Sequence, residues 1–560
     1  MIPSLLKRSL PVFAAMLLGM QPTQATDDLI LEWNAYIREV MKRDSANSNP
    51  GWATRSLTLM HGAMYDVFQA YNRTHRPLKV DATAPVGSSK RAAAAQAAYR
   101  ILLTVYPEHK EWIDWAGGYS LHFVPDGPAK SEGVAFGESV AAQYLSWRSN
   151  DGSDDHQQYM PSSEPGKWRP DPTFFPAQQA WGPGWGAVTP YVITSSSQFP
   201  VPPPPAMTSA EYTDAFNEVV ALGSRTGSTR TADQTQIGNF WAYDRSGTGP
   251  PPRLFSRNLS EIATQQGNTE EENARLFAIA SVAMADAAIA AWDVKFQHNV
   301  WRPITAVREA GTDGNPATAA ITSWVPLGCP GDEVFPNFTP AFPAYVSGHA
   351  SMGEALFTVL KSWYGTNTVS FSLTSEELPG VTRSYTSFSQ AAQENADSRV
   401  YLGVHWRFDQ TEGQSLGRRV AEYVFANAMG SIEESFDEFC GTNNLSGNPN
   451  NDQDKDGCTD FAEYAFTTNP VQPDQPNGAR QENLYGLPCI VLRYRVSDGR
   501  LMNGLEVRAE SSADLQSWTS EGITDELDPD ATPVAGMTSR RAWLQLKESG
   551  TKFLRLRAER

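Results

Sequence analysis

Three short stretches of this sequence carry side chains able to bind an anion and work on it. In KFQHNVWRP, Lys295 and Arg302 stand seven positions apart, two turns of a helix and therefore one face. Proline at 303 disfavours helical geometry in the residue before it, which puts Arg302 at or just past the helix end. In FPAYVSGHASMGEALF, Ser347, Gly348 and His349 immediately precede an amphipathic helical pattern. The free N–H groups of a helix start, a hydroxyl donor and a glycine that admits close backbone approach suit an oxyanion. In SRVYLGVHWRFDQTEG, His405 and Asp409 are four apart, so a helix brings them to one face. There the carboxylate can hold one ring nitrogen protonated and leave the other as a ligand. Arg399 lies six positions before His405, about 120° off that face, and is expected ahead of the helix proper, entering the pocket from its mouth. Three cations can offset a multiply charged tetrahedral oxyanion, and buried charges persist only when paired.

The rest of the chain must position these groups and leave them their charge. Its 560 residues exceed one compact core, which implies two to four domains. Hydrophobic residues make up 40% and charged residues 19%, a globular composition. The net charge of −18 argues against nucleic acid or anionic membranes as partners, so an anion site must gather its own positive charge. Lys7 and Arg8, the apolar run LPVFAAMLLGM, and Thr23 with Ala25 read as a signal peptide over residues 1–25. This implies export, with the protein secreted, periplasmic or at the cell surface. No later apolar stretch reaches spanning length; the longest, AIASVAMADAAIAAW, is interrupted by Asp286. Cys329, Cys440, Cys458 and Cys489 allow three full pairings between which the sequence does not choose.

Apolar residues at three-four spacing run through TRSLTLMHGAMYDVFQAYN and SSKRAAAAQAAYRILLTVYP. Residues 150–205 are rich in Pro, Gly and Trp and read as a long irregular segment packed on a helical body. Helical patterning resumes through SAEYTDAFNEVVALG, TEEENARLFAIASVAMADAAIAAWDVKF, SGHASMGEALFTVLKSWYG and EGQSLGRRVAEYVFANAM. Beyond about residue 435, CIVLRYRV, LEVRAE, RAWLQLKE and KFLRLRAER alternate as strands. The expectation is a mainly α protein: a helical bundle over 26–435, a linking segment over 436–470 and a small all-β domain over 471–560.

The linking segment contains DQDKDGCTDFAE, which has the spacing of a calcium loop. Asp452, Asp454 and Asp456 take positions 1, 3 and 5, Gly457 position 6, the Cys458 carbonyl position 7, Asp460 position 9 and Glu463 position 12. The loop and the following EYAFTTNP resemble single calcium loops of thrombospondin type 3 and dockerin-like segments, which implies a structural calcium ion.

Lys-x6-Arg-Pro, Ser-Gly-His and Ser-Arg-x5-His-x3-Asp together resemble the tripartite signature of the superfamily joining vanadium haloperoxidases and type 2 phosphatidic acid phosphatases. Val346 departs from it, since the family commonly has proline before Ser-Gly-His. The helical segments from about residue 30 to 295 also look like the haloperoxidase branch. The resemblance implies vanadate as cofactor, with Lys295, Arg302 and Arg399 neutralising its equatorial oxygens and the Ser347 hydroxyl and Gly348 N–H bonding them. His405 would bond vanadium axially, Asp409 would orient His405, His349 would be the acid–base group, and Lys295 could polarise peroxide. Trp292 and Phe342 sit where chloroperoxidase-like members carry aromatics lining the halide site. The implied reaction oxidises halide with hydrogen peroxide to a hypohalous acid equivalent. Which halide, an organic substrate and a homo-oligomer are left open. One alternative is an exported acid phosphatase working through a phosphohistidine at His405; another is a non-catalytic oxyanion-binding protein. Either Asp286 or Asp244 could pair with a pocket arginine.

Overall fold

The computed structural model describes residues 28–432 apart from 45–48, 175–176, 245–246 and 332–336. Beyond 432 it describes 439–440, 443, 445–446, 448, 453, 455, 461, 464, 480–484, 487–497, 506–513, 516–528, 537–546 and 553–559. The sequence-proposed signal peptide and calcium residues Asp452, Asp454, Asp456, Cys458, Asp460 and Glu463 lie outside the described residues.

Two compact units divide the chain, Met1–Met429 and Gly430–Arg560. The described part of the first is helical: α1 (Leu29–Arg43), α2 (Pro50–Asn72), α3 (Lys90–Val105), α4 (Lys110–His122), α5 (Pro128–Trp147), α6 (Ala210–Gly223), α7 (Ala232–Phe240), α8 (Pro251–Gln266), α9 (Glu270–His298), α10 (Pro303–Arg308), α11 (Gly348–Trp363), α12 (Phe388–Tyr401) and α13 (Arg407–Asn427). Short antiparallel pairs, β1 (Cys329–Pro330) with β2 (Asn337–Phe338) and β3 (Phe371–Thr374) with β4 (Thr382–Tyr385), interrupt it.

Helix α9 is the axis of this unit, packed against α2, α11 and α13. A capping box between Thr269 and Glu272 starts it, and Glu270, Glu271 and Glu272 complement its dipole. Nearly every side chain from Asn273 to Lys295 is buried, many of them alanines that let neighbouring helices come close. The helix is long and apolar enough to cross a membrane, yet its apolar window is 94% buried inside the protein, as expected of a core helix. Asn299 ends it in the left-handed conformation at φ 55°.

α11 and α13 also meet closely. A Cβ at Gly417 would lie 2.1 Å from the Ser351 carbonyl oxygen, and one at Gly413 would lie 2.8 Å from that of Ser347. Only glycine permits this approach, which brings the start of α11 against the first turns of α13. The Pro/Gly/Trp-rich segment contains one short 3-10 turn, Trp185–Ala187, which rests on α9, and it buries Trp168 and Trp185.

The second unit holds an antiparallel sheet of order β5 (Arg480–Leu484), β6 (Leu487–Ser497), β9 (Met537–Gln545), β8 (Ile523–Leu527), and a separate pair, β7 (Glu506–Ser512) with β10 (Phe553–Glu559). Phe439, Cys440 and Phe461 cluster with Val496 of β6, so described parts of 436–470 share a core with the sheet. The chain thus combines a mainly α bundle with a small C-terminal β region.

Candidate active site

The end of α9, the start of α10, the start of α11 and the α12–α13 connection converge on one buried cluster. Lys295, in the last turn of α9, donates from Nζ to the carbonyls of Pro343 (2.9 Å), Ala344 (3.1 Å) and Val346 (2.5 Å). These three bonds fix its ammonium beside the Ser-Gly-His turn. Burial, with help from Arg302, pulls its pKa well below the ordinary lysine value.

Arg302 does not share a helix face with Lys295. The chain leaves the helix at Asn299, and Arg302 is the extended N-cap of α10 (φ −80°, ψ 155°), as proline at 303 requires. Its Nε donates to the Phe342 carbonyl (2.9 Å), and its Nη1 donates to the Val404 carbonyl (2.8 Å) and to His405 Nε2 (2.8 Å). Burial pulls its pKa down to about 10, so it stays charged at neutral pH.

The Arg302 contact identifies the tautomer of His405. A guanidinium can only donate, so Nε2 carries the lone pair and Nδ1 the hydrogen. Nδ1–H donates to Asp409 Oδ2 at 2.7 Å. Burial, then Arg302 and Lys295, hold the ring pKa well below its usual value and keep it neutral. The arrangement differs from the expected helix face. His405 precedes α13, whose N-cap is Trp406, and Asp409 Oδ2 also accepts the Trp406 N–H at 3.0 Å. The pair is a helix-start cap that includes a histidine. Burial raises the Asp409 pKa, against the pull of Lys295 and Arg302.

Arg399 lies ahead of α13, as expected, but inside the last turn of α12, which runs to Tyr401. Its Nη2 donates to Asp244 Oδ2 (2.5 Å) and contacts Cys329 Sγ (3.3 Å). Burial opposes its charge, but Asp244 outweighs this and the pKa rises. Asp244 is therefore the carboxylate of a pocket arginine. Asp286 instead accepts backbone N–H groups from Tyr191 (2.7 Å), Val192 (2.8 Å) and Ile193 (3.0 Å).

Ser347 caps α11, its Oγ accepting the Ala350 N–H (3.3 Å), while its own N–H donates to the Asp409 carbonyl (2.9 Å). Gly348 opens the helix with an N–H free of intrahelical partners. A Cβ there would sit 2.7 Å from the Trp292 ring, so only glycine fits. His349 follows, its ring edge-on to Phe255 at 5.5 Å. Burial and Arg399 lower its pKa well below normal, while a hydrogen bond to the Trp241 backbone opposes them. Trp292 and Phe342 lie 5.0 Å apart beside the cations, with Lys295 Nζ at 5.4 and 5.1 Å from their ring centres.

The pocket's charge is incompletely offset. Lys295, Arg302 and Arg399 face only Asp244 and Asp409. Arg302 Nη2, Arg399 Nε and His349 Nε2 are buried without a hydrogen-bond partner among the described residues. A multiply charged oxyanion fits these donors and that excess charge.

Every site residue carried over from the signature converges here. Of the two acids offered as partners of a pocket arginine, Asp244 is the one that pairs; missed were Cys329, the carbonyls that hold Lys295, and Trp181, which packs on Trp292 at 5.0 Å. No local pattern marks them, since each meets the pocket only through tertiary packing.

Residues 275–434 match the family described as the VCPO second helical-bundle domain. The vanadium chloroperoxidase of Curvularia inaequalis is 31% identical over an alignment of 357 residues that covers 51% of this chain and 58% of that protein. The chain thus spans somewhat over half the length of this curated relative. A bacterial vanadium-dependent iodoperoxidase structure superposes with a TM-score of 0.63 at 24% identity, covering 74% of this chain and 99% of that one. A holo-type bacterial vanadium-dependent chloroperoxidase superposes with a TM-score of 0.54 at 16% identity, covering 73% and 94%. These structural likenesses show a shared fold.

Proposed function

We propose that this protein is an exported, vanadate-dependent haloperoxidase, a reading supported by the match of residues 275–434 to the VCPO second helical-bundle domain and by the 31% identity to a vanadium chloroperoxidase. It oxidises a halide with hydrogen peroxide and a proton to a hypohalous acid and water. The observation that carries this reading is the buried His405 ring, whose Nε2 accepts from Arg302 within the field of Lys295 and Arg399 and whose Nδ1–H is held by Asp409.

In this reading His405 Nε2 would hold the metal. The charges of Lys295, Arg302 and Arg399 would hold its oxygens, and the Ser347 hydroxyl and Gly348 N–H would donate to them. Charge-assisted contacts contribute about 1.5–3 kcal/mol each, so several together retain the anion. Bound vanadate supplies a Lewis acid of constant oxidation state that activates peroxide toward halide. Asp409 keeps the lone pair of His405 on Nε2. Lys295, fixed by three carbonyls, polarises a peroxide oxygen. His349, neutral and with Nε2 unpartnered, takes the peroxide proton and returns it to the departing oxygen. Trp292 and Phe342 flank the cations with apolar surface that favours a weakly hydrated halide over water.

The site side chains are deeply buried, with His349 4% and His405 2% exposed, which favours small reactants such as peroxide and halide over a bulky phosphoester. Apo-protein loaded with orthovanadate is expected to oxidise bromide or iodide in the presence of peroxide, with phosphate competing. Vanadate-loaded protein that is inert, while p-nitrophenyl phosphate is hydrolysed, would give the assignment to the phosphatase chemistry. Vanadate affinity with neither turnover would leave an oxyanion-binding protein.

The proposal extends to the loop from Asp452 to Glu463 as a structural calcium site. Calorimetry on the full chain is expected to show calcium binding, and no heat with no change in proteolysis would reject it.

A further inference from the structure

We propose that Trp181, on the irregular strap crossing α9, is a specificity-determining positioning residue that sets the width of the anion pocket's aromatic flank. The inference rests on the haloperoxidase reading and adds a residue to it.

The strap is pinned where it matters. Trp181 N–H donates to the Ala341 carbonyl (2.9 Å), and Gln178 Nε2 donates to the Thr339 carbonyl (3.0 Å), so it is tied to the segment carrying Phe342. Gly182 has φ +78°, and a Cβ there would meet Trp292 Nε1 at 2.5 Å. One at Gly186 would meet Asp293 Cα at 2.6 Å. The strap therefore lies directly on α9 at the turn carrying Trp292. From it the Trp181 ring reaches both flanking rings, edge-on to Trp292 (5.0 Å, 77°) and to Phe342 (6.3 Å, 73°).

The three rings differ in what they face. Trp292 is 1% exposed and Phe342 is half-buried, and both lie against Lys295. Phe342 also lies against Arg302, whose Cζ is 5.0 Å from its ring centre. Trp181 is half-buried and touches both rings. Edge-to-face packing fixes ring orientation as well as separation. Removing the Trp181 ring frees Trp292 and Phe342 to part, which widens the flank, admits water and favours a larger, more weakly hydrated anion. Halide size is the property that a gap between two rings can discriminate.

The test uses the full chain, comparing Trp181→Ala and Trp181→Phe with wild type for chloride, bromide and iodide oxidation. Vanadate affinity is measured separately by calorimetry. Trp181→Ala is expected to raise halide KM and move kcat/KM toward iodide by about tenfold, with vanadate affinity held within about twofold. Trp181→Phe is expected to restore the wild-type halide ratio. A crystal soaked in bromide supplies a readout apart from turnover: an anomalous peak against Trp292 and Phe342 in wild type, weakened in Trp181→Ala. An unchanged halide ratio in Trp181→Ala overturns the inference, as does a loss of vanadate affinity that tracks the rise in KM. A wild type inert toward all three halides instead sinks the haloperoxidase reading, and the inference with it.

Discussion

Two kinds of buried polar cluster stand side by side in the helical unit. Asp66 accepts the N–H groups of Leu78, Lys79 and Val80 and the Tyr144 hydroxyl. Asp286 accepts three successive N–H groups from Tyr191 to Ile193. Both carboxyl oxygens of each are satisfied by the chain itself. Burial pushes both acids up to about 6, and the backbone bonds pull against it. The anion pocket is as deeply buried, yet it leaves Arg302 Nη2, Arg399 Nε, His349 Nε2 and Asp409 Oδ1 unpartnered among the described residues. A self-satisfied cluster holds loops to helices. One with donors to spare, on cations that outnumber their carboxylates, is built around a guest.

The contrast is sharpest at His405. His405→Ala removes the ring nitrogen proposed to hold the metal, and is expected to lower vanadate affinity by more than about a hundredfold. The thermal midpoint should change far less. Equilibrium dialysis with vanadate, beside a melting curve, checks both; unchanged affinity breaks the contrast.

Asp286→Ala is the mirror image. It leaves three buried or part-buried N–H groups without their acceptor, at roughly 1–3 kcal/mol each for a fully buried group. Urea unfolding is expected to show a loss of about 3 kcal/mol or more, while the folded protein binds vanadate as wild type does. Wild-type stability would place Asp286 outside the class it defines here.

Legibility in the sequence follows the same division. Lys295, Arg302, Ser347, Gly348, His349, Arg399, His405 and Asp409 were recognisable because each group of ligands lies on a short stretch, where spacing records which side chains meet. The geometry was less legible. Spacing alone suggested one helix face for His405 and Asp409, whereas the chain enters α13 only at Arg407 and the aspartate works as a cap. The helix end before Arg302 was legible from Pro303, whereas the helix α12 that carries Arg399 was not. Of the Arg399 partners, Asp244, 155 positions away, was one of two candidates, and Cys329, 70 positions away, was not legible. The choice between Asp244 and Asp286 needed tertiary structure, because both are lone acids in apolar runs. The helical class and the β character of the C-terminal region came from periodicity, which records local structure directly.

Asp244→Asn tests whether the Arg399 pair belongs to the guest-binding class. It keeps the shape and removes the charge that holds Arg399 in place. Vanadate affinity is expected to fall about tenfold by calorimetry, and an unchanged affinity would make the pair purely structural.

His61 gives the smallest expected effect. Its Nε2 bonds Asn34 Oδ1 (2.9 Å), and burial pulls its pKa down to about 3. The unfolded chain takes up this proton near pH 6.5, while the folded one resists it. Its contribution to stability is therefore complete above about pH 6.5 and lost as pH falls toward 3. His61→Gln is expected to flatten the fall in melting temperature over that range, and a slope equal to wild type would contradict the assignment.

The most direct test of the central claim is a vanadium-edge anomalous map from a crystal soaked in orthovanadate. The account predicts one strong peak within bonding distance of His405 Nε2, flanked by Lys295, Arg302 and Arg399. No peak there, or a peak elsewhere in a protein that still oxidises halide, would contradict it.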